Sequence, residues 1–123
     1  MSTPTFVYFP VGATGESIRQ LLAHAKVKYI DERIMPADWP ARKPLAMGNS
    51  LPNWIENGQT MNESQAILRY LGHKHGYYPK DELAAWKADC IVGKIQPLYP
   101  KINPTFMFGK PDDAHFDLYI KVW

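Results

Sequence analysis

The pattern of apolar and polar residues predicts alternating strands and helices in the first part of the chain. The aromatic and β-branched run Thr5–Phe9 predicts a strand, and residues 29–34 predict a second one. Between them, apolar residues recur at the spacing of one helix face, which predicts a helix over Glu16–Lys26. A strand, a helix and a strand in this order favour a parallel crossover. The apolar stripe of the predicted helix consists of Ile18, Leu21, Leu22 and Ala25.

A hairpin follows a loop over residues 35–50. We expect this loop to be irregular because it contains three prolines and a glycine. Asn57-Gly58 predicts a type I′ turn, since that turn needs positive φ at both of its central positions. The strands on either side of the turn are Leu51–Glu56 and Gln59–Met61.

The hairpin leads into a second amphipathic helix. Either Asn62 or Ser64 can cap its start. The apolar face of this helix consists of Ala66, Ile67, Tyr70 and Leu71. Together the predicted elements follow the order β-α-β-β-α, which indicates an α/β fold.

A further helical unit begins at Asp81. Apolar residues keep helical spacing for about four turns, and Pro97 and Pro100 end or kink the helix because proline lacks the N–H that a helix interior uses. The apolar positions of this helix are Leu83, Trp86, Cys90, Ile91, Ile95 and Leu98. After a loop over residues 103–112, Asp112 can cap one more helix, which carries Phe116, Ile120 and Trp123 on one side.

Composition and charge narrow the class of protein. The 123 residues suit one domain, or one and a fraction, and 46% apolar residues suffice for a core. The net charge of +2 comes from scattered residues rather than a basic stripe, so nucleic acid is not an expected partner. No apolar run approaches the ~20 residues of a membrane span, and residues 1–10 lack the charged start of a signal peptide. A single cysteine, Cys90, excludes an internal disulfide, so we expect a cytoplasmic protein.

The remaining reactive side chains indicate no further chemistry. His73 and His75 are two residues apart on a predicted helix and point to different faces, so we expect no metal site there. Cys90 lies within an apolar stripe, which is typical of a small buried hydrophobic residue. The sequence has no Cys-x-x-Cys motif, which argues against disulfide chemistry.

Two stretches near the centre of the chain resemble a known family. Leu51-Pro52, followed by Glu63-Ser64-Gln65-Ala66-Ile67, resembles the glutathione-binding core of the glutathione S-transferases. Tyr8-Phe9 is similar to the strand that carries their catalytic tyrosine. Residues 29–34 and Ala37–Pro40 are similar to the second strand and the following loop of the sigma-class, prostaglandin D synthase-like branch. The resemblance extends from Thr5 to the end of the helix that begins at Asp81.

This resemblance implies the architecture of the whole chain. Residues 1–78 would form an α/β, thioredoxin-like glutathione-binding domain built from a β-α-β and a β-β-α half. Residues 79–123 would be the first helices of an all-α domain. In the family this second domain is about as long as the first, so here it would be incomplete. Most of the pocket for an electrophilic substrate would then be missing.

Glutathione chemistry requires that a thiol with an ordinary pKa of ~8.5 be ionised near neutral pH. The resemblance assigns this task to Tyr8, whose hydroxyl would donate a hydrogen bond to the thiolate and so lower the thiol pKa. Outside the matching register of motifs, Tyr8 would be an ordinary aromatic residue of a strand.

The resemblance also implies which residues hold the tripeptide, glutathione being the co-substrate. A cis Leu51-Pro52 bond would present the Leu51 backbone to the cysteinyl part. Ser64 and the N–H groups at its helix start would bind the γ-glutamyl carboxylate, and Glu63 would bind the ammonium group. Glu63 and Ser64 alone are equally typical of plain helix capping. The candidate glutathione-binding residues are Trp39, Lys43, Ser50, Leu51, Pro52, Glu63 and Ser64.

Several positions depart from the family pattern. Thr14 replaces an arginine, Ser50 replaces a lysine or glutamine, and Gln96 replaces an acid of the fourth helix. Glu63 is a milder departure, since sigma-class members more often carry glutamine there. The first three changes each remove a charge or a long donor, which weakens the case for an active enzyme.

Three functions are therefore compatible with the sequence. The first is glutathione binding, with glutathione transfer to a small electrophile, or its isomerisation, by a homodimer. The second is a non-catalytic, transferase-derived accessory subunit of a larger assembly. The third possibility concerns the chain itself, which would be a fragment of a full-length transferase. We expect Phe116 and Trp123 to be buried against another chain, either a second copy or a larger assembly, because soluble monomers seldom expose large apolar patches.

Overall fold

The computed structural model describes residues 2–98. The chain divides into two units, Met1–Pro79 and Lys80–Trp123. The last predicted helix, with Phe116 and Trp123, lies outside the described residues.

A four-stranded mixed sheet forms the centre of the first unit. Its strands are Thr5–Tyr8 (β1), Ile30–Arg33 (β2), Asn53–Glu56 (β3) and Gln59–Met61 (β4). They are arranged in the order β2-β1-β3-β4. β1 pairs in parallel with β2, and the pairs β1–β3 and β3–β4 are antiparallel. The predicted parallel crossover and hairpin are therefore both confirmed.

Two helices cover one face of the sheet, and a shorter helical segment covers the other. Helix α1 spans Glu16–His24, and it contacts α3, which spans Ser64–His75. On the opposite face lie the helical turn Trp39–Arg42 (α2) and the 3-10 turn Lys43–Leu45. The expectation of an irregular loop over residues 35–50 was thus partly wrong, since proline is tolerated in the first turn of a helix. The arrangement is the predicted thioredoxin-like fold.

The core lies between the sheet and the two long helices. Six of its side chains are fully buried: Phe6, Ile18, Leu22, Trp54, Ile67 and Leu71. The predicted apolar face of α3 was only half right, because Ala66 and Tyr70 are exposed while Ile67 and Leu71 are buried. The Tyr70 ring lies at the surface, and its hydroxyl donates to the carboxylate of Glu56.

The turn and the helix start between β3 and α3 are set by backbone conformation. Asn57 and Gly58 have φ angles of 51° and 75°, as the type I′ turn requires. The predicted cap of α3 was wrong, since neither Asn62 nor Ser64 caps it. Glu63 occupies the capping position with φ 67°, and its carbonyl accepts the first helical hydrogen bond from the Ile67 N–H at 2.9 Å.

The second unit contributes one described helix, α4, which spans Glu82–Ile95. Asp81 caps it by accepting a hydrogen bond from the Ala84 N–H at 2.8 Å, and it ends two residues before Pro97. Three large apolar side chains of α4 are exposed: Leu83, Trp86 and Ile91. Among the described helices, we find none whose length and apolar character would let it cross a membrane.

Candidate functional site

The register of the sheet brings three of the candidate residues into one row. Val7 pairs with Asn53 across β1 and β3, so the next residues along, Tyr8 and Pro52, also face each other. Trp54 pairs with Met61 across β3 and β4, and Glu63 follows two residues after the end of β4, at the same end of the sheet. Tyr8, Pro52 and Glu63 therefore lie toward one end of the sheet, although Glu63 comes 55 positions after Tyr8 in the sequence.

Leu51 and Pro52 enter this row through a cis peptide bond, as predicted. Pro52 is buried, and Leu51 is half-buried against the core. The side chain of Asn53 holds the segment before it. Its Nδ2 donates to the carbonyls of Ser50 and Pro52 at 3.1 and 2.9 Å, and its Oδ1 accepts from the Met47 N–H at 3.0 Å.

The start of α3 presents free backbone donors beside this segment. Glu63 has positive φ, and no side chain of the described residues caps the helix. The N–H groups of Ser64, Gln65 and Ala66 precede the first helical hydrogen bond and so lack partners within the helix. The loop before Leu51 packs closely against the residues before α3. A Cβ added to Gly48 in that loop would lie 2.6 Å from Asn62 Nδ2. The helix dipole and the N–H groups together favour an anion at this point.

Tyr8 lies at the end of β1, with 6% of its surface exposed. Its hydroxyl oxygen is 3.1 Å from Thr14 Oγ1, in the turn that follows the strand. The ring packs directly against Gly15, where an added Cβ would lie 2.2 Å from the ring carbon Cδ1. Tyr8 is therefore held in one place, with its hydroxyl already in a hydrogen bond.

Arg19 organises the loop next to Tyr8, although the sequence pattern gave it no role. It is 7% exposed, and its guanidinium donates to the carbonyls of Phe9 and Val11 at 3.0 and 2.9 Å. It also pairs with Asp31 at 3.2 Å and lies 5.5 Å from the centre of the Tyr8 ring. Its position within an apolar helical stripe was the one signal that could have identified it, since a buried arginine needs fixed partners.

The remaining candidates lie on other segments of the chain. Trp39 begins α2 and packs edge-on against Phe9, with ring centres 5.3 Å apart. Lys43 lies one turn further along, where its N–H donates to the Trp39 carbonyl, and its side chain is exposed. Ser50 is half-buried and extended. Gln96, the predicted departure on the fourth helix, is exposed and follows directly after α4.

A cavity of about 110 Å³ lies on the opposite face of the sheet, beneath α2. Of the candidates, Trp39 and Leu51 line it. Glu32 and Arg42 line the cavity and form an ion pair with each other. The sequence analysis did not predict this pair. Among the described residues, we find no cluster of side chains that could bind a metal ion.

Comparison with known proteins assigns these residues to a family. Residues 4–73 match the model of the glutathione S-transferase N-terminal domain. Glutathione S-transferase 1 of Ascaris suum is 32% identical over 99 residues, which cover 80% of this chain and 48% of the relative. Hematopoietic prostaglandin D synthase of Rattus norvegicus is 36% identical over 89 residues, which cover 72% and 45%.

A solved structure agrees with these matches. The crystal structure of a glutathione S-transferase from Ascaris lumbricoides aligns with a TM-score of 0.78 at 29% identity, covering 92% of this chain and 57% of that one. The chain spans about half the length of the curated relatives it matches. The matched residues contain the whole sheet and almost all of α3, with every candidate glutathione-binding position. The chain therefore belongs to the glutathione S-transferase family, through its N-terminal domain.

Proposed function

We propose that the chain binds glutathione as a co-substrate and activates its thiol for transfer to a small electrophile. Family membership supports the class of reaction. The relatives include both transferases and a prostaglandin D synthase, so transfer and isomerisation are both covered by the proposal. The proposal names the electrophile only by its small size. It also includes the pairing of two copies of the chain into a dimer.

The observation that carries the proposal is the open helix start at Glu63-Ser64. A γ-glutamyl carboxylate placed there would accept hydrogen bonds from the Ser64 hydroxyl and from the free N–H groups of α3. Positive φ at a residue other than glycine is costly and tends to occur at functional sites, which fits a role for Glu63 in ligand binding. The carboxylate of Glu63 would bind the α-ammonium group of the same ligand.

Tyr8 would perform the chemical step by hydrogen bonding. Tyr8 ends β1 at the end of the sheet where β3 begins and β4 ends, and this supports a role for one tripeptide in contacting both the helix start and the phenol. A phenol that donates to sulfur favours the thiolate over the thiol and thereby lowers the thiol pKa. Trp39 and Lys43 would contact the glycyl end, and the Leu51 backbone the cysteinyl part. Ser50 would stand beside Leu51.

A second candidate function is that of a transferase-derived subunit that assembles with other proteins and does no catalysis. Two observations favour it. Thr14 and Ser50 both lack a charge next to the proposed site. The side chains of Leu83, Trp86 and Ile91 on α4 are between 58% and 60% exposed, which suits a surface for association.

Glutathione calorimetry combined with a transferase assay separates the two functions. We expect Tyr8→Phe to lower the rate by a factor of about 10²–10³ and to leave glutathione affinity nearly unchanged, as for loss of one preorganised donor. Tyr29→Phe is the matched control, because Tyr29 also packs in the first unit but contacts Trp54 rather than the proposed site.

Either of two results would contradict the catalytic proposal. One is an equal rate for the wild type and Tyr8→Phe. The other is absence of glutathione binding by the wild type, which would favour the subunit function.

A further inference from the structure

Alternate residues of the four strands form the floor of the cavity beneath α2. Successive side chains of a strand point to opposite faces of a sheet, and those that point away from the core line the cavity. Val7 pairs with Glu32 across β1 and β2, and Ile55 pairs with Thr60 across β3 and β4. All four strands thus contribute to the floor, so the pairing of the sheet fixes its shape.

The body of the cavity is apolar and open to solvent on one side. Val7 and Ile34 lie at its floor with only 7% and 4% of their surface exposed. Leu45 and Ile55 also line the cavity, but both side chains are exposed. A ligand can therefore enter past these two side chains and reach buried apolar surface without any change in the sheet.

The size of the cavity limits the size of its ligand. Its volume of about 110 Å³ is well below the roughly 300 Å³ at which pockets for drug-sized ligands begin. A closed apolar cavity of about 150 Å³ holds one benzene molecule. A single ring or a short branched chain is therefore the appropriate size, with part of it toward the open side.

The polar edge of the cavity consists of an ion pair. Arg42 Nη2 donates to Glu32 Oε1, and among the described residues that line the cavity these two carry the charges. The second carboxylate oxygen of Glu32 can still accept a hydrogen bond, and the other N–H groups of Arg42 can still donate. A ligand hydroxyl group, which both donates and accepts, matches this pair. A charged ligand would lose hydration and find its counter-charge already paired.

We propose that this cavity binds a small uncharged molecule that combines an aromatic ring or a branched aliphatic group with a hydroxyl group. The apolar part lies on Val7, Ile34 and Ile55, and the hydroxyl group contacts the Glu32–Arg42 pair. A larger ligand of the same chemistry can use the site by extending through the open side. This site does not depend on the proposed function, which places the carboxylate of glutathione at the start of α3.

Titration of the full chain with benzyl alcohol, followed by methyl ¹H–¹³C NMR, tests the proposal. We expect the methyl signals of Val7, Ile34 and Ile55 to shift in a saturable way. The dissociation constant should be in the millimolar range, since so small a ligand makes few contacts. The methyl signals of Leu83 and Ile91 on α4 should stay in place. Absence of saturable shifts at the cavity would overturn the proposal.

A substitution that fills the cavity tests the location of the site. Ala46 lines the cavity, and its extended backbone, with φ −79° and ψ 139°, is one that leucine adopts without strain. We expect Ala46→Leu to weaken benzyl alcohol binding at least about tenfold, because the new side chain occupies the same space. Ala41→Leu is the matched control, because Ala41 is exposed on α2 and should leave the affinity unchanged.

Equal affinities for the wild type and Ala46→Leu would overturn the proposal. Thr60→Ile narrows the cavity from the opposite strand and serves as a second variant if Ala46→Leu does not fold. Isoleucine suits a strand position, so this change should weaken binding without disturbing the sheet.

Ligands of one size and different charge test the role of the ion pair. The wild type should bind benzyl alcohol at least about tenfold more tightly than benzoate or benzylammonium. Glu32→Gln leaves the charge of Arg42 unpaired, so benzoate should become the tightest ligand of the three. In Arg42→Gln, benzylammonium should take that place. An unchanged order of affinities in Glu32→Gln would overturn the contact between the ligand and the pair.

Glutathione distinguishes this cavity from the proposed glutathione site. Trp39 and Leu51 line the cavity and are also candidate glutathione-binding residues. Benzyl alcohol should nevertheless bind with equal affinity in the presence and absence of glutathione. Displacement by glutathione would overturn the proposal, because the cavity would then be part of the glutathione site. Binding of benzyl alcohol by a chain that binds no glutathione would support the cavity site and end the proposed function.

Discussion

Several local contacts of the first unit converge on Arg19. Its guanidinium donates to two loop carbonyls and pairs with Asp31, and it is nearly inaccessible to solvent. A buried charge is stable only while such partners remain, and the partners are equally dependent on it. Arg19 therefore fixes the loop that carries Thr14 at the same time as it contacts the Tyr8 ring.

We expect Arg19→Met to lower the free energy of unfolding by about 2–4 kcal/mol, because two carbonyls and a carboxylate lose their donor. Arg33→Met is the matched control. Its side chain also pairs with Asp31 but is 54% exposed, so we expect a loss below about 1 kcal/mol. Urea unfolding of the three proteins measures both values, and equal losses for the two variants would disprove the assignment.

Sequence alone could predict the strand that ends at Tyr8 and the cis bond at Leu51-Pro52, because their signals are local and lie in a fixed order. It could not reveal that the Tyr8 hydroxyl contacts Thr14, since that contact depends on the conformation of two side chains. Asn53 was missed for a related reason. Its amide holds the segment 47–52 through hydrogen bonds to the backbone. Such hydrogen bonds leave no periodic pattern of apolar and polar residues in the sequence.

At the scale of elements, a buried carboxylate joins the hairpin to α3. Glu56 is 8% exposed and accepts hydrogen bonds from Tyr70 at 2.8 Å and Trp54 at 3.3 Å, and it forms an ion pair with Lys74. Burial alone would raise the pKa of Glu56, but the hydrogen bonds from Lys74, Tyr70 and Trp54 outweigh it and lower the pKa below its ordinary value. The hydrogen bond to Glu56 raises the pKa of Lys74 in turn.

These shifts give the pH dependence of stability a definite sign. A lowered folded-state pKa means that Glu56 stabilises the fold above its unfolded pKa, and that this contribution is lost as the pH falls through the folded value. Lys74 contributes below its unfolded pKa and loses its contribution as the pH rises through its raised value. The pairing of hairpin and helix is therefore strongest between these two limits.

We expect Glu56→Gln to lower the free energy of unfolding by about 1–3 kcal/mol at neutral pH and to weaken its fall in acid. The variant keeps the size of the side chain but cannot titrate. Glu82→Gln, at the exposed start of α4, is the control and should retain the wild-type acid slope. Denaturant unfolding at a series of pH values provides the measurement. An unchanged acid slope in Glu56→Gln would show that another group is responsible.

Elements with strong local signals were predicted well, and elements without them were not. The Asn57-Gly58 turn and the end of α4 before Pro97 follow from backbone restrictions of particular residues. The start of α3 was misplaced because its capping residue, Glu63, adopts a conformation that its residue type disfavours. Tyr70 was assigned to the core because its position follows the helical spacing of apolar residues. That spacing carries no information about the hydrogen bond from its hydroxyl to the Glu56 carboxylate.

At the scale of the whole molecule, the first unit and the one described helix of the second unit differ in how far they bury their apolar residues. The first unit encloses six fully buried large side chains, whereas α4 has no buried residue and exposes Leu83, Trp86 and Ile91. The order and spacing of motifs made the family and the fold predictable over the first unit. The small helix α2 and the cavity beneath it were not predictable, because both depend on packing across the sheet rather than on a local pattern.

We expect the chain to self-associate through α4, because exposed aromatic and aliphatic side chains on one helix gain stability when they leave water. Trp86→Glu should shift the chain from dimers or larger species to monomers. Lys87→Glu changes the charge of the neighbouring exposed residue and should leave the assembly intact. Sedimentation velocity distinguishes these cases, and a soluble monomeric wild type would refute the expectation.

The contact between Gly15 and the Tyr8 ring has a consequence for which substitutions can follow one another in evolution. The backbone at Gly15, with φ −85° and ψ −16°, is one that alanine adopts easily, so alanine there should by itself stabilise the chain slightly. The ring of Tyr8 opposes it, since the added carbon would overlap three ring atoms. The effect of the same substitution therefore changes sign with the residue at position 8. A lineage that keeps this tyrosine orientation must keep the glycine, and one that loses the aromatic ring first is free to fill the space and cannot easily return.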